Sequence, residues 1–377
     1  MSWNEVSTMS LRLEFVMLAL REGCNFALLC RSFNISRKTG YKWLHRFLKY
    51  GKPGLLDESR RPNSSPSKTD ESIEATITTI RDQFPEWGGR KLKTILENRG
   101  HLNIPAPSTI TTILRRNKKL DPEESKKHTP LTRFEHPYPN SLWQMDFKGH
   151  IPMRQGRCHP LTVLDDNSRF NLVLDACADE KTDTVKAALI ASFRRYGLPD
   201  RITMDNGSPW GNQGFNDITP LTAWLIRLDI RVSHSRPYHP QTQGKDERFH
   251  RTLNIEVIRH NQFEDLAHCQ RKFDEFRQVY NLERPHESLG LKPPISRYTP
   301  SERLYPEKLP DIDYGPDDLV RLVQLGGEIS FRGKKFYVPK GLHGYPVALR
   351  PTEDDGTYAV YFCRYQVKEI DFNETQN

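Results

Sequence analysis

The sequence predicts a multidomain α+β protein: helical modules first, an α/β core in the middle and a small β-barrel at the end. Three observations predict this order. Residues 11–50 and 69–120 carry apolar positions at helical spacing between Gly, Pro and Ser/Thr stops. Residues 141–260 alternate apolar strand-like runs with amphipathic helical ones. Residues 316–372 break into short β-rich runs separated by Gly, Pro and Asp turns. A chain of 377 residues has room for two to four domains, and the boundaries read as 1–55, 69–120, 136–300 and 315–372.

The first module reads as three helices. Phe15, Val16, Leu18, Ala19 and Leu20 form an apolar stripe that stops at Gly23, and Phe26 to Phe33 forms a short second helix. Asn34-Ile35 makes a turn, and Ser36 caps a basic third helix from Arg37 to Leu48. A short helix, a tight turn and a basic helix make a helix-turn-helix, whose second helix presents its first residues to the DNA major groove. Arg37, Lys38, Thr39 and Lys42 are thereby expected to face DNA, with Trp43, Leu44 and Phe47 packed inward.

Residues 51–68 are a Pro/Ser/basic linker of extended character. In the second module, Ile73, Ile77 and Ile80 line one helix, Trp87-Gly88-Gly89 precedes a basic helix from Arg90 to Leu96, and Pro107-Ser108-Thr109 opens a third. A winged-helix or homeodomain-like fold is expected here, with Arg90, Lys91, Arg115 and Arg116 toward DNA. Charge agrees with that placement. The first 130 residues hold 23 Lys+Arg against 14 Asp+Glu, whereas the remainder holds 33 against 34. The net charge of +8 therefore resides in the amino-terminal third, as a grip on phosphate backbone requires.

The six cysteines include no Cys-x-x-Cys pair and no Cys/His set at structural-zinc spacing, so reduced core thiols are expected. No apolar run spans a bilayer and no signal-peptide pattern opens the chain, which predicts a cytoplasmic, nucleoid-associated protein with no membrane partner.

The core carries the chemistry. Strands are expected at 141–147, 161–165, 171–176, 201–204 and 231–235, with helices at 182–196, 218–228, 244–260 and 263–280. Asp146 and Asp205 end apolar strands, and Glu247 opens a helix after a Pro/Gly-rich loop. Carboxylates on separate elements of one domain can converge on a pair of hard divalent cations. A pair roughly 3.5–4 Å apart suits in-line displacement at phosphorus. Asp165 and Asp166 are rival carboxylates, expected to support the site, with Asp166 capping the turn to Ser168-Arg169. Asp246 is expected to point about 100° away from Glu247 on the helix and so to miss the metal. Asn206 is expected to order the site or touch DNA. Arg236, His239 and Gln241 are expected to contact the DNA end, and Lys245, Arg248 and Arg251 to face DNA beside Glu247, the two arginines holding phosphates.

Trp143-Gln144-Met145-Asp146, Thr203-Met204-Asp205-Asn206-Gly207 and the run from Arg236 through Gly244-Lys245-Asp246-Glu247-Arg248 to Leu253 resemble the catalytic core of bacterial insertion-sequence transposases of the DDE type. Retroviral integrases share that core. The resemblance implies an RNase H-like fold in which Asp146, Asp205 and Glu247 hold two Mg²⁺ ions, with Mn²⁺ an acceptable substitute. It also implies that the tail is similar to integrase carboxy-terminal barrels. One departure is visible: 42 positions separate Asp205 from Glu247, more than is usual in the family. The excess falls in a loop at 209–219, where extra length costs little.

These readings together predict a transposase that binds terminal inverted repeats, cuts at the element ends and joins 3′-hydroxyl ends to target DNA. Its partners are double-stranded DNA and further copies of itself, at least a dimer in the DNA complex. A DNA-binding regulator descended from a transposase, with catalysis lost, is the alternative; a nuclease without joining is a third.

Overall fold

The structure is a computed structural model and describes residues 7–58, 68–120, 135–205, 207, 209–211, 218–234 and 244–371. Asn206, Arg236, His239 and Gln241 lie outside the described residues. The chain divides into two compact units, Met1–Lys68 and Thr69–Asn377.

The first unit holds α1 (Thr8–Ala19), α2 (Phe26–Ser32) and α3 (Arg37–Tyr50). Each begins on a side-chain cap: Ser7, Asn25 and Ser36 accept from the backbone N–H of Ser10, Leu28 and Thr39. Asn34 turns the chain between α2 and α3 at φ 52°, a conformation Asn tolerates better than most residues. Phe15, Val16, Cys30, Trp43 and Leu55 form the core, with Leu44 and Phe47 packed against it as their spacing predicts. Gly40 is where α3 closes on that core. A Cβ there would sit 2.7 Å from Cys30 Sγ and 2.9 Å from Phe15 Cζ. Gly40→Val is expected to lower stability by about 1–3 kcal/mol through overpacking. A urea midpoint for the full chain equal to that of the parent would contradict this.

The second unit opens with α4 (Glu71–Gln83), α5 (Gly89–Asn98) and α6 (Pro107–Arg116). They pack around Ile77, Trp87, Leu92, Leu96, Ile110 and Leu114. No strand accompanies these helices among the described residues.

Next comes a mixed sheet of β1 (Trp143–Phe147), β2 (Ile151–Pro152), β3 (Arg157–Asp165), β4 (Asn171–Cys177), β5 (Arg201–Met204) and β6 (Arg231–His234). Its order is β2-β3-β1-β5-β6, with β4 also paired to β3. β1 runs antiparallel to β3 and parallel to β5, and β5 runs parallel to β6. Helices α7 (Thr182–Tyr196) and α8 (Pro220–Arg227) cover one face, burying Trp143, Met145, Ile202, Met204 and Phe193. Helices α9 (Gly244–Glu256) and α10 (Leu266–Leu282) cover the other through Phe249, Leu253, Phe273 and Phe276. Because side chains alternate along a strand, Gln144 and Asp146 on β1 point toward α9. The short β2 was not expected. The helix expected to reach His260 stops at Glu256 and gives way to a single tight turn over Ile258–His260.

The tail corrects an expectation. β7 (Leu319–Leu322), β10 (Pro346–Pro351), β11 (Thr357–Phe362) and β12 (Tyr365–Asp371) form a four-stranded sheet in the order β12-β11-β10-β7. β8 (Glu328–Phe331) and β9 (Lys334–Tyr337) form a separate hairpin. The sheets are open, not a closed barrel. Closure requires strands long enough to tilt and stagger, and β7, β8 and β9 have four residues each. Instead the two sheets share a core of Ile329, Phe331, Val347, Leu349, Val360 and Phe362, which extends to Ala223 and Ile226 of α8. All six cysteines are free, and no described helix is long and apolar enough to cross a membrane.

Candidate active site

Parallel pairing of β1 with β5 decides where the first two carboxylates go. The register sets Trp143 beside Ile202 and Gln144 beside Thr203. Continued two places, it sets Asp146 beside Asp205, just beyond the end of β5. Asp146 is half-buried and Asp205 exposed. Burial pushes the Asp146 carboxyl up to about 6; the Phe147 backbone hydrogen bond opposes that shift, and the charges of Asp205 and Glu180 add to it. Two acids at neighbouring strands, with a third close by, suit a divalent cation bound through oxygen. Glu180 was not singled out from the sequence.

The third carboxylate behaves differently. Glu247 lies in the first turn of α9 and is exposed, as are Arg248 and Arg251. Asp246 is the residue that turns inward. It is 1% exposed, and burial, then the Asp146 charge, push its carboxyl well above the usual range. Ligand atoms of Asp146, Asp246 and His250 all lie within 4.8 Å of one another. Among the described residues those of Asp146, Asp205 and Glu247 form no such tight group. Asp246, expected to miss the metal, faces inward beside Asp146. It does lie about 100° from Glu247, but the buried face of α9 is the one through Phe249 and Leu253, and Asp246 falls on that face. That stripe of 246, 249, 250, 253 and 257 was present in the sequence.

Buried polar contacts tie α9 to the sheet. Gln144 Nε2 donates to Asp166 Oδ1 at 2.8 Å, and Gln144 Oε1 accepts from the Asp246 N–H at 3.2 Å. The Lys245 ammonium pairs with Asp166, which also accepts from the His136 N–H at 2.8 Å. Lys245, expected to meet DNA, pairs with Asp166 here, and burial pulls its pKa down. Asp166 was expected to cap the following turn. Asp165 does so, accepting from the Ser168 N–H at 2.7 Å and from the Asn140 N–H at 2.7 Å.

Other basic residues divide by exposure. Arg37, Lys38 and Lys42 are exposed on α3, with Thr39 half-buried beside its cap. Arg115 and Arg116 are exposed at the end of α6, where Arg116 pairs with Glu74. Arg90 is exposed and lies 3.5 Å from Glu287. Lys91 is turned inward, and its ammonium is pulled down to about 8, first by burial and then by Arg284.

Comparison with known proteins agrees with this architecture. Residues 136–240 and 228–294 each match an integrase core domain family, and residues 318–377 match the IS481 family transposase C-terminal domain. Residues 11–63 match a helix-turn-helix domain and residues 39–114 a homeodomain-like domain. A protein of insertion element IS476 from Xanthomonas euvesicatoria is 23% identical over 252 residues, 64% of this chain and 68% of that one. A protein of insertion element IS407 from Burkholderia multivorans is 22% identical over 249 residues, 64% of this chain and 86% of that one. Among solved structures, the HTLV-2 integrase catalytic core in complex with magnesium is 16% identical. It covers 43% of this chain and 98% of its own at a TM-score of 0.34, too loose a likeness to bear on function. The chain carries an integrase core domain behind helix-turn-helix modules. The relatives it resembles include insertion-element proteins, and its last stretch matches a transposase domain.

Proposed function

We propose that this protein is a transposase that binds the terminal repeats of an insertion sequence, cleaves phosphodiester bonds at the ends and joins the 3′-hydroxyls to target DNA. The observation that carries the reading is the nearness of Asp146 on β1 to Asp205 just past the paired strand β5, with the helix bearing Glu247 fastened beside β1 through Gln144. Asp146, Asp205 and Glu247 are the residues to hold Mg²⁺ or Mn²⁺. Two such ions would supply the positive charge that lowers the barrier to attack and departure of oxygen at phosphorus. The chain's own part is positioning. β1 and β5 fix two carboxylates in register, and Arg248 and Arg251, exposed beside Glu247, steady the DNA phosphates. Arg236, His239 and Gln241 are proposed to contact the DNA end and Asn206 to order the site. Joining two ends to one target requires at least two protomers on the DNA.

Arg37, Lys38, Thr39 and Lys42, with Arg90, Arg115 and Arg116, are proposed to grip the terminal repeats. Replacing Lys42 with Ala is expected to weaken end binding and to reduce the slope of log affinity against log salt by about 1. An unchanged slope in a titration at several salt concentrations would remove Lys42 from the interface. Labelled end DNA incubated with the protein and Mg²⁺ or Mn²⁺ tests the reaction itself. Joined products support the transposase reading. Nicks without joining favour a nuclease, and binding without cutting favours the regulator.

A further inference from the structure

Asp246 presents an unusual problem in electrostatics. Its carboxylate is fully buried and faces Asp146, yet the described structure offers it almost no positive charge or proton. Thr162 Oγ1 lies 3.2 and 3.3 Å from its two oxygens. The same hydroxyl lies 3.0 Å from the Asp146 carbonyl oxygen and 2.8 Å from His250 Nε2. A hydroxyl has one proton to donate, so the Asp246 oxygens and the Asp146 carbonyl compete for it. His250 Nε2 is 3.5 Å from Asp246 Oδ2, too far for a good hydrogen bond. Among the described residues no Lys or Arg pairs with Asp246, and the adjacent Lys245 is held by Asp166. A buried carboxylate beside a second one, sharing one hydroxyl proton, is costly unless it keeps its own proton or a cation completes the group.

The donors are arranged to receive one. Asp246 and His250 are four residues apart and so share one face of α9, opposite Asp146 on β1. Donor atoms within 4.8 Å of one another lie about 2.8 Å or less from their common centre, a small side-chain adjustment away from metal–ligand distances of about 2.1 Å. We propose that Asp146, Asp246 and His250 bind one divalent cation, and that the imidazole makes this site favour Mn²⁺ over Mg²⁺. Mg²⁺ keeps to oxygen ligands and water, whereas imidazole nitrogen suits first-row transition metals. This deepens the proposed active site and rests on it through the shared Asp146. It adds Asp246 and His250 to the metal-binding residues and makes metal identity a property of the inner face of α9.

Pulsed electron paramagnetic resonance on the full-length, DNA-free protein loaded with Mn²⁺ alone tests the site without reference to activity. Nitrogen modulation from a directly bound imidazole is expected in the parent protein and in Glu247→Gln, and is expected to vanish in His250→Gln. Asp246→Asn is expected to weaken Mn²⁺ binding tenfold or more. In competition, Mg²⁺ is expected to displace Mn²⁺ only at tenfold or greater excess. Bound Mn²⁺ without nitrogen modulation in the parent protein would overturn the proposal, whatever the variants do. Modulation that persists in a folded His250→Gln protein would overturn it as well. A parent without nitrogen modulation that still cuts DNA, beside an inactive Glu247→Gln, would leave the proposed function standing and remove only this site.

Discussion

Asp146→Asn is expected to reduce cleavage and joining by about a hundred- to a thousandfold or more, the order seen when one group that stabilises transition-state charge is removed. The same change is expected to make the cation-free protein more stable at pH 7–8. The two effects share a cause. Asp146 is held in a largely buried place beside other acids, which raises its carboxyl to about 6 from an ordinary value of 3.8. The folded protein thus keeps a proton that the unfolded chain gives up. Stability from this group is present at low pH and is lost as pH rises from about 4 through about 6. A shift of that size corresponds to about 1–3 kcal/mol once partial solvent access is allowed for. Asn has no charge to desolvate, so the variant escapes the loss. Thermal melts in chelator across pH 4–8, beside a cleavage assay, check both effects. An active variant, or one less stable than the parent at pH 8, would contradict the account.

Asp166→Ala is expected to lower stability by about 3–5 kcal/mol, because it leaves the Lys245 ammonium without its partner in a largely buried place. It also strips acceptors from the His136 N–H and from Gln144, whose other end holds the first turn of α9. Asp166→Leu combined with Lys245→Met should recover much of the stability, since an apolar pair needs no counter-charge. Recovery should not extend to cleavage if Gln144 and Asp166 together set the angle at which α9 carries Glu247. Urea unfolding of the single and double variants measures the first effect. A single-variant loss below about 1 kcal/mol would show that the pair is not structurally important.

Strand ends were the most legible part of this chain. Asp146 and Asp205 follow apolar runs whose burial forces the strand assignment, and parallel pairing then brings the two acids together. The helix-turn-helix was equally plain, since Ser36, Asn34 and Trp43 each have one local role that composition reveals. Less was legible where one residue type serves two purposes. Lys245 reads as a phosphate contact until Asp166, 79 residues away, is seen beside it. Asp246 reads as a solvated neighbour of Glu247 because an acid is rarely buried, although Phe249 and Leu253 already marked its side of α9 as the inner one. The tail was read correctly as β-rich, but closure into a barrel depends on pairing between distant strands, which local turn signals do not specify.

Asp146, Asp205 and Glu247 are proposed to act as one metal-dependent site on DNA ends. The measurement that tests this most directly compares the parent protein with Glu247→Gln on labelled end DNA, in Mg²⁺ and in Mn²⁺. Metal-dependent nicking and joined products are expected from the parent, and neither from a variant that still binds the ends. Full cutting by Glu247→Gln would contradict this proposal and remove Glu247 from the catalytic set.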